Sequence, residues 1–414
     1  MEFFQNLRCR ECGATYAPAA LYVCDECLGP LEAAYDRAAQ KARITRDQIE
    51  RGPRNLWRYQ SFLPARCDPR ADLNEGFTPL IRAQNLAREL GLQNLYLKND
   101  TVNPTFSFKD RVVAVAAAKA LEFGLPALAC ASTGNLAGAV AAHAARAGLP
   151  AYVFVPADLE PAKIAGAAIY GATIIAVNGN YDHANRLATE AADAYGWGFV
   201  NINLRPYYAE GSKTLAFEVA EQLGWRAPDR VIVPIASGAL FTKIWKGFNE
   251  FAEVGLIAPR FPKMIGVQAD GCAPVATAWR ENTREVRAVK PNSLAKSLAI
   301  GNPADGRYAI DTARVSGGAI ISVREESIAA GMELLARTEG IFGETAAGVT
   351  IAGLRAIARE IAPEETVVAY ITGNGFKTLD VLAPPARVVK VEPNFDALDA
   401  TLNARALQTA IAAE

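Results

Sequence analysis

Four short loops carry the side chains with the most chemistry to offer, and each follows an apolar run and opens a helical one. The first is Asn103-Pro104-Thr105-Phe106-Ser107-Phe108-Lys109-Asp110-Arg111. A single lysine is usually a solvated charge. Here apolar Phe108 on one side and the positive end of a helix on the other both disfavour the ammonium, so a free amine is at hand for Schiff-base chemistry. The second loop, Ser132-Thr133-Gly134-Asn135, puts hydroxyls and open backbone N–H groups at a helix start, an anion site suited to a carboxylate, although alone it also reads as a plain N-cap. The third, Pro234-Ile235-Ala236-Ser237-Gly238-Ala239-Leu240, offers backbone amides that can cradle a phosphate, and it is neither a Walker loop nor GxGxxG. The fourth, Thr372-Gly373-Asn374-Gly375, presents a hydroxyl that can bond something held between the loops; by itself it is a glycine turn.

A separate constellation lies near the N-terminus. Cys9-Arg10-Glu11-Cys12 and Cys24-Asp25-Glu26-Cys27 are two CxxC pairs, followed closely by Gly13 and Gly29. Each makes a tight turn that points two thiolates at one point, and two such knuckles supply the tetrahedral sulfur shell of a structural zinc. A redox CxxC normally opens a helix beside a strand, a pattern missing here. A zinc-ribbon-like module over residues 1–35 is therefore expected, folded around its metal and without catalysis of its own.

These residues need a scaffold. Beyond a polar connector from Asp36 to Asn55, short β-branched runs alternate with Ala-rich stretches. Strands are expected at Leu95–Lys98, Leu128–Ala131, Ala151–Val155, Thr173–Val177, Val231–Ile235, Ile265–Gln268 and Val367–Ile371, with helices at Arg111–Glu122, Leu136–Ala147 and Thr214–Leu223 among others. Near-continuous apolar strands separated by helices imply parallel sheets covered on both faces, with ligands bound at the carboxyl ends of the strands. The 414 residues exceed one ordinary domain, so two open twisted α/β domains are expected in the catalytic region 36–414. The smaller of them, roughly 111–210, is inserted in the larger.

Composition excludes several classes. With 51% hydrophobic residues, 21% charged residues and a net charge of −1, no field favours nucleic acid or an anionic membrane, and no apolar stretch approaches a membrane span. The N-terminus lacks a signal-peptide pattern, and seven cysteines, four of them in two close pairs, argue against a disulfide framework, so a cytoplasmic location is expected. The two histidines, His143 and His183, give poor support to a Ser-His-Asp hydrolase; His143 falls inside a helix and reads as structural.

Taken together and in this order, the four loops resemble the β-family of pyridoxal-phosphate enzymes, tryptophan synthase β-like and of fold type II, and within it the threonine synthases. Arg58 to Pro64, Glu75-Gly76-Phe77-Thr78-Pro79-Leu80, Glu210-Gly211-Ser212-Lys213-Thr214 and Thr372 to Lys377 also fit, so the likeness runs from about Tyr59 to Thr378. A cysteine-pair zinc module in front occurs in some relatives. The resemblance implies that Lys109 holds pyridoxal phosphate as a Schiff base and then shuttles protons, with Phe108 packed near the ring. It further implies that Asn135 bonds the cofactor's 3-hydroxyl, that Ser237, Gly238, Ala239 and Leu240 hold its phosphate, and that Thr372 faces the pyridine nitrogen. Ser132, Thr133 and Gly134 would bind the amino-acid substrate. A hydroxyl at that nitrogen leaves the ring a weaker electron sink than an aspartate would, which favours elimination and replacement over transamination. The implied reaction converts O-phosphohomoserine and water to threonine and phosphate, in an enzyme that in relatives is commonly a homodimer.

Three positions depart from that pattern. Leu136 follows Asn135 where phosphohomoserine-using synthases usually carry Thr, Tyr208-Ala209 precede Glu210-Gly211 where they commonly carry Arg, and Phe106 replaces a frequent Gly. The missing Thr and Arg help those relatives bind the substrate phosphate, and a tyrosine cannot replace the bidentate contact of a guanidinium. Arg205, Lys213 and Arg307 are the candidates to supply that charge from elsewhere. The alternatives are a sibling reaction, such as a cysteate synthase using O-phosphoserine or a serine/threonine deaminase, and a zinc-ribbon interaction protein on an inactive fold, against which an intact Lys109 argues.

Overall fold

The computed structural model describes residues 2–157, 159, 161–179, 181–382 and 388–411. The chain divides into two compact units, Met1–Thr378 and Leu379–Glu414. The second carries the helix Phe395–Ile411; everything below belongs to the first. Among the described residues no helix is long and apolar enough to cross a membrane.

Among the described residues, three sheets build the first unit. β1 (Phe4–Cys9), β2 (Thr15–Tyr16) and β3 (Leu31–Tyr35) form a small antiparallel sheet in the order β2-β1-β3. The large sheet combines β4 (Leu80–Arg82) and β5 (Asn94–Asn99) with strands from the other end of the chain. A second, four-stranded sheet has β6 (Leu128–Ala131), β7 (Ala151–Pro156), β8 (Thr173–Val177) and β9 (Gly198–Phe199) in the order β8-β7-β6-β9, all parallel. The large sheet is completed by β10 (Arg230–Pro234), β11 (Lys263–Ala269), β12 (Ala319–Val323) and β13 (Thr366–Ile371), and its order is β12-β11-β10-β13-β5-β4. Only the β4 edge is antiparallel.

All seven expected strands form, because runs such as Leu128–Ala131 and Thr366–Ile371 are buried at every residue, as a parallel strand covered on both faces must be. The stretch expected as a polar connector is instead helical, at Arg37–Arg43 and Arg46–Glu50. Asp36 caps the first helix by accepting from Ala39 N at 2.9 Å. Thr45 and Gln48 form a reciprocal capping box on the second. Ile44 and Ile49 are buried in the core around the large sheet, which gives both short helices an apolar anchor.

The order of the large sheet matters for chemistry. β10, β13 and β5 are adjacent and parallel, although β5 lies some 270 residues before β13. Their carboxyl ends therefore set the Ser237, Thr372 and Lys109 loops side by side. The Ser132 loop follows β6 on the second sheet.

Candidate active site

Lys109 opens the helix Lys109–Glu122, whose other residues from Asp110 to Ala120 are buried. Its preceding loop is pinned by buried partners. Asp110 accepts from Thr105 N at 2.8 Å and from Thr105 Oγ1 at 2.7 Å. Ser107 bridges to Gly373, and Phe108 N donates to the Thr372 carbonyl at 2.9 Å. Thus the loops after β5 and β13 are joined by their backbones. Phe106 adopts a left-handed φ of 64°, the conformation that explains why glycine suits this position.

Two residues along that helix, the fold is held by a buried charge cluster. Arg111 pairs with Asp100 (2.6 Å) and with Glu218, which also meets Lys98 at 2.6 Å. Burial alone would raise the Glu218 carboxyl, but Arg111 and Lys98 hold it down at about 2. Glu218 further accepts from Phe77 N and Thr78 N, which fixes the Glu75 to Leu80 segment against the same helix.

The half-buried Lys109 amine donates to the Tyr208 hydroxyl at 2.6 Å and lies 4.8 Å from the Phe108 ring centroid. Tyr208 ends the short helix Arg205–Tyr208, and the next residues press on the Lys109 helix. A Cβ on Gly211 would meet the Arg111 carbonyl oxygen at 2.4 Å, so only glycine permits that approach.

Around this pair the structure places the other expected residues as follows. Ser132 and Thr133 are half-buried and Gly134 exposed; Gly134 N donates to Ser132 Oγ at 3.3 Å, and no side chain caps the helix Asn135–Ala147. The Asn135 amide is engaged on both sides. Its Nδ2 donates to both Glu344 carboxyl oxygens at 3.0 Å, and its Oδ1 accepts from Lys377 Nζ at 2.8 Å. Burial raises the Glu344 carboxyl, with the Asn135 bond opposing. Thr372 is buried at the end of β13. Leu136 is buried in the apolar core beside the Lys109 helix rather than offering a polar group.

After β10, Gly238 takes a φ of 95° and opens the helix Ala239–Glu253 without a capping side chain. Ser237 Oγ accepts only a long bond, 3.4 Å, from Ala239 N. Uncapped amides at the start of a fifteen-residue helix suit a phosphate, and with an amine and a buried hydroxyl on the neighbouring loops they fit the groups of pyridoxal phosphate.

None of the three cations considered for a substrate phosphate stands free. Lys213 is fully buried and pairs with Glu210 and Glu250. Arg205 pairs with Asp305 at 2.6 Å and Arg307 with Glu11 at 2.5 Å. His143 is buried, with Nδ1 3.0 Å from the Ala71 carbonyl and Nε2 3.7 Å from Asp110.

The roles of Glu344, Asp305 and Tyr208 were not assigned from sequence. A Gly-Glu-Thr run at the opening of the apolar helix Thr345–Ile357 marks a helix start at Glu344 but not its partner.

At the N-terminus, the sulfurs of Cys9, Cys12, Cys24 and Cys27 lie within 4.8 Å of one another, with Cys9–Cys27 and Cys12–Cys24 at 3.5 Å. Tetrahedral zinc at 2.3 Å from each sulfur separates them by about 3.8 Å, so the cluster fits such an ion. Tyr16 OH lies 3.1 Å from Cys24 Sγ, an outer contact of the kind that orients a ligand. Phe4, Leu7 and Tyr35 join the same core as the Lys109 helix, so the small sheet is packed on the catalytic scaffold.

Comparison with known proteins agrees with this geometry. Residues 71–373 match the family described as pyridoxal-phosphate dependent enzyme. The chain is 39% identical over 398 residues to the threonine synthase of Methanocaldococcus jannaschii, covering 94% of this chain and 98% of that one. It is 37% identical over 402 residues to that of Methanosarcina acetivorans, covering 95% and 97%. Among solved structures it is similar to the processed form of threonine deaminase isoform 2 from Solanum lycopersicum, with a TM-score of 0.61 at 22% identity over 74% of this chain and 88% of that one. A pyridoxal 5'-phosphate-dependent aspartate racemase gives 0.62 at 21% identity over 72% and 90%. The chain belongs to the pyridoxal-phosphate dependent enzyme family, with fold type II, and within it to the threonine synthases.

Proposed function

We propose that this chain is a lyase that converts O-phosphohomoserine and water to threonine and phosphate. The observation that carries the reading is the near-full-length likeness to threonine synthases. When bound, pyridoxal phosphate supplies the electron sink for proton loss next to the amino group. Lys109 would hold it covalently, and its Nζ, when free, would take protons from Cα and Cβ and return protons to Cγ and Cα. Phosphate leaves from Cγ and water adds at Cβ. The 2.6 Å contact to Tyr208 supports a role for that hydroxyl in orienting the amine and sharing its proton. Ser237 to Leu240 would hold the cofactor's phosphate, Phe108 would pack near its ring, Asn135 would bond its 3-hydroxyl and Thr372 its ring nitrogen. Ser132, Thr133 and Gly134 would receive the substrate carboxylate on open helix-start amides.

The same reading includes a structural zinc on Cys9, Cys12, Cys24 and Cys27, supported by the fit of the four sulfurs. The 1–35 module and a smaller subdomain of roughly 111–210 are supported by the separate small sheet and by the four-stranded sheet. A cytoplasmic location is supported by seven free cysteines, and a homodimer by family resemblance alone.

The test is a substrate comparison. Release of phosphate matched by threonine formation from O-phosphohomoserine is expected. Turnover of O-phosphoserine with sulfite, or of serine or threonine to an oxo acid and ammonia, without threonine formation, would replace the reading by one of its siblings.

A further inference from the structure

Two residues inside the first cysteine knuckle, Arg10 and Glu11, reach away from the sulfurs to the segment that starts the helix Gly306–Val315. Arg10 Nη1 lies 3.3 Å from Asp305 Oδ1, and its guanidinium stacks 3.7 Å from the Tyr308 ring centroid. Glu11 accepts from Tyr308 OH and pairs with Arg307. Asp305 is itself buried, 4% exposed, and meets three parts of the active site's support at once. Its backbone N donates to the Ser237 carbonyl at 2.9 Å. A Cβ on Gly238 would come within 2.7 Å of its carbonyl oxygen, so the loop is moulded onto it. Its other carboxyl oxygen, Oδ2, accepts from Arg205 at 2.6 Å, in the short helix that ends on Tyr208.

From this junction we propose that Arg10 and Asp305 are positioning residues, through which the cysteine module sets the shape of the Ser237–Leu240 loop and thereby its affinity for the cofactor's phosphate. The proposal rests on the reading of that loop as the phosphate cradle. The physical argument is one of satisfied charge. A nearly buried carboxylate is stable in this place only with cations on both oxygens. Arg205 supplies one from the catalytic body and Arg10 the other from the module. Removing Arg10 leaves half of the carboxylate unpaired beside Ser237 and Gly238, and the segment relaxes where the loop is moulded to it. Arg10 touches neither substrate nor cofactor, so its effect is on geometry rather than on chemistry.

The experiment measures pyridoxal-phosphate binding to the apoprotein by fluorescence quenching and follows thermal unfolding of the same samples. Arg10→Ala and Asp305→Asn are expected to raise the dissociation constant about five- to tenfold, with Arg10→Lys recovering part of the loss and any fall in the apoprotein unfolding midpoint of Arg10→Ala too small to unfold the protein at the temperature of the binding measurement. Wild-type affinity in Arg10→Ala, or loss of affinity only in step with loss of stability, overturns the proposal. Ala239→Pro, which removes one of the loop's backbone N–H groups at a helix position that tolerates proline, separates it from its premise. If that variant binds the cofactor as tightly as wild type, the loop is not the cradle; if it binds weakly while Arg10→Ala binds normally, the cradle stands and the coupling falls.

Discussion

Lys109 Nζ donates to the Tyr208 hydroxyl at 2.6 Å, joining two residues 99 apart in sequence at the opening of the catalytic helix. The tyrosine is thus a direct partner of the lysine at the opening of the site. Tyr208→Phe keeps the ring and removes the bond. A fall of roughly 10-fold in kcat/KM is expected, the equivalent of about one hydrogen bond. Steady-state rates across pH check this, and a change below about twofold would leave Tyr208 a packing residue.

Arg111 is the residue on which the buried charge cluster turns. It meets Asp100 and Glu218 with no exposure, and Lys98 alone cannot balance both carboxylates. Arg111→Met is expected to cost about 3–5 kcal/mol, read from urea unfolding, because it strands buried charge rather than merely losing an attraction.

Gly211 allows the Tyr208 segment to lie on the Lys109 helix. Gly211→Ala forces the two backbones apart. The expected result is a loss of about 1–3 kcal/mol together with a lower kcat, since Tyr208 and Lys109 separate with them. Unfolding curves and rates measured on one preparation test both halves.

Glu75 links stability to pH. Burial raises its carboxyl to about 7, against the pull of His143. The unfolded chain releases that proton near 4.5, so between these values the folded state binds the extra proton and stability falls as pH rises. Burial opposes charging of His143, but Asp110 and Glu75 raise it overall. That stabilisation is complete below the ordinary histidine value and is lost as pH climbs through the raised one, in the same direction as for Glu75. Glu75→Gln removes the carboxyl's share and should flatten the decline between pH 4.5 and 7 by roughly 1–3 kcal/mol, measured as unfolding free energy against pH.

Much of this was legible in the chain. The strands at 128–131 and 366–371 announce themselves because burial on both faces demands unbroken apolar runs. β12 gives no clear sequence signal because three of its five residues are only half-buried at the sheet edge, and β4 gives none because it has three residues. The helices after Asp36 are short and polar, and their one sequence mark is the capping-box signature of Thr45-Arg46-Asp47-Gln48. The site's partners are a different matter. Lys109 stands out by its local setting, whereas Asp305 with Arg10 and Asn135 with Glu344 are pairs made by chain topology across more than 200 residues. Such pairs leave no mark in either local segment.

The most direct test of the account is the position of the covalent link. Holoenzyme treated with borohydride, digested and mapped by mass spectrometry should carry the reduced pyridoxyl group on Lys109, and Lys109→Ala should carry none. A label on Lys98, Lys213 or Lys377 instead would contradict the assignment on which the site is built.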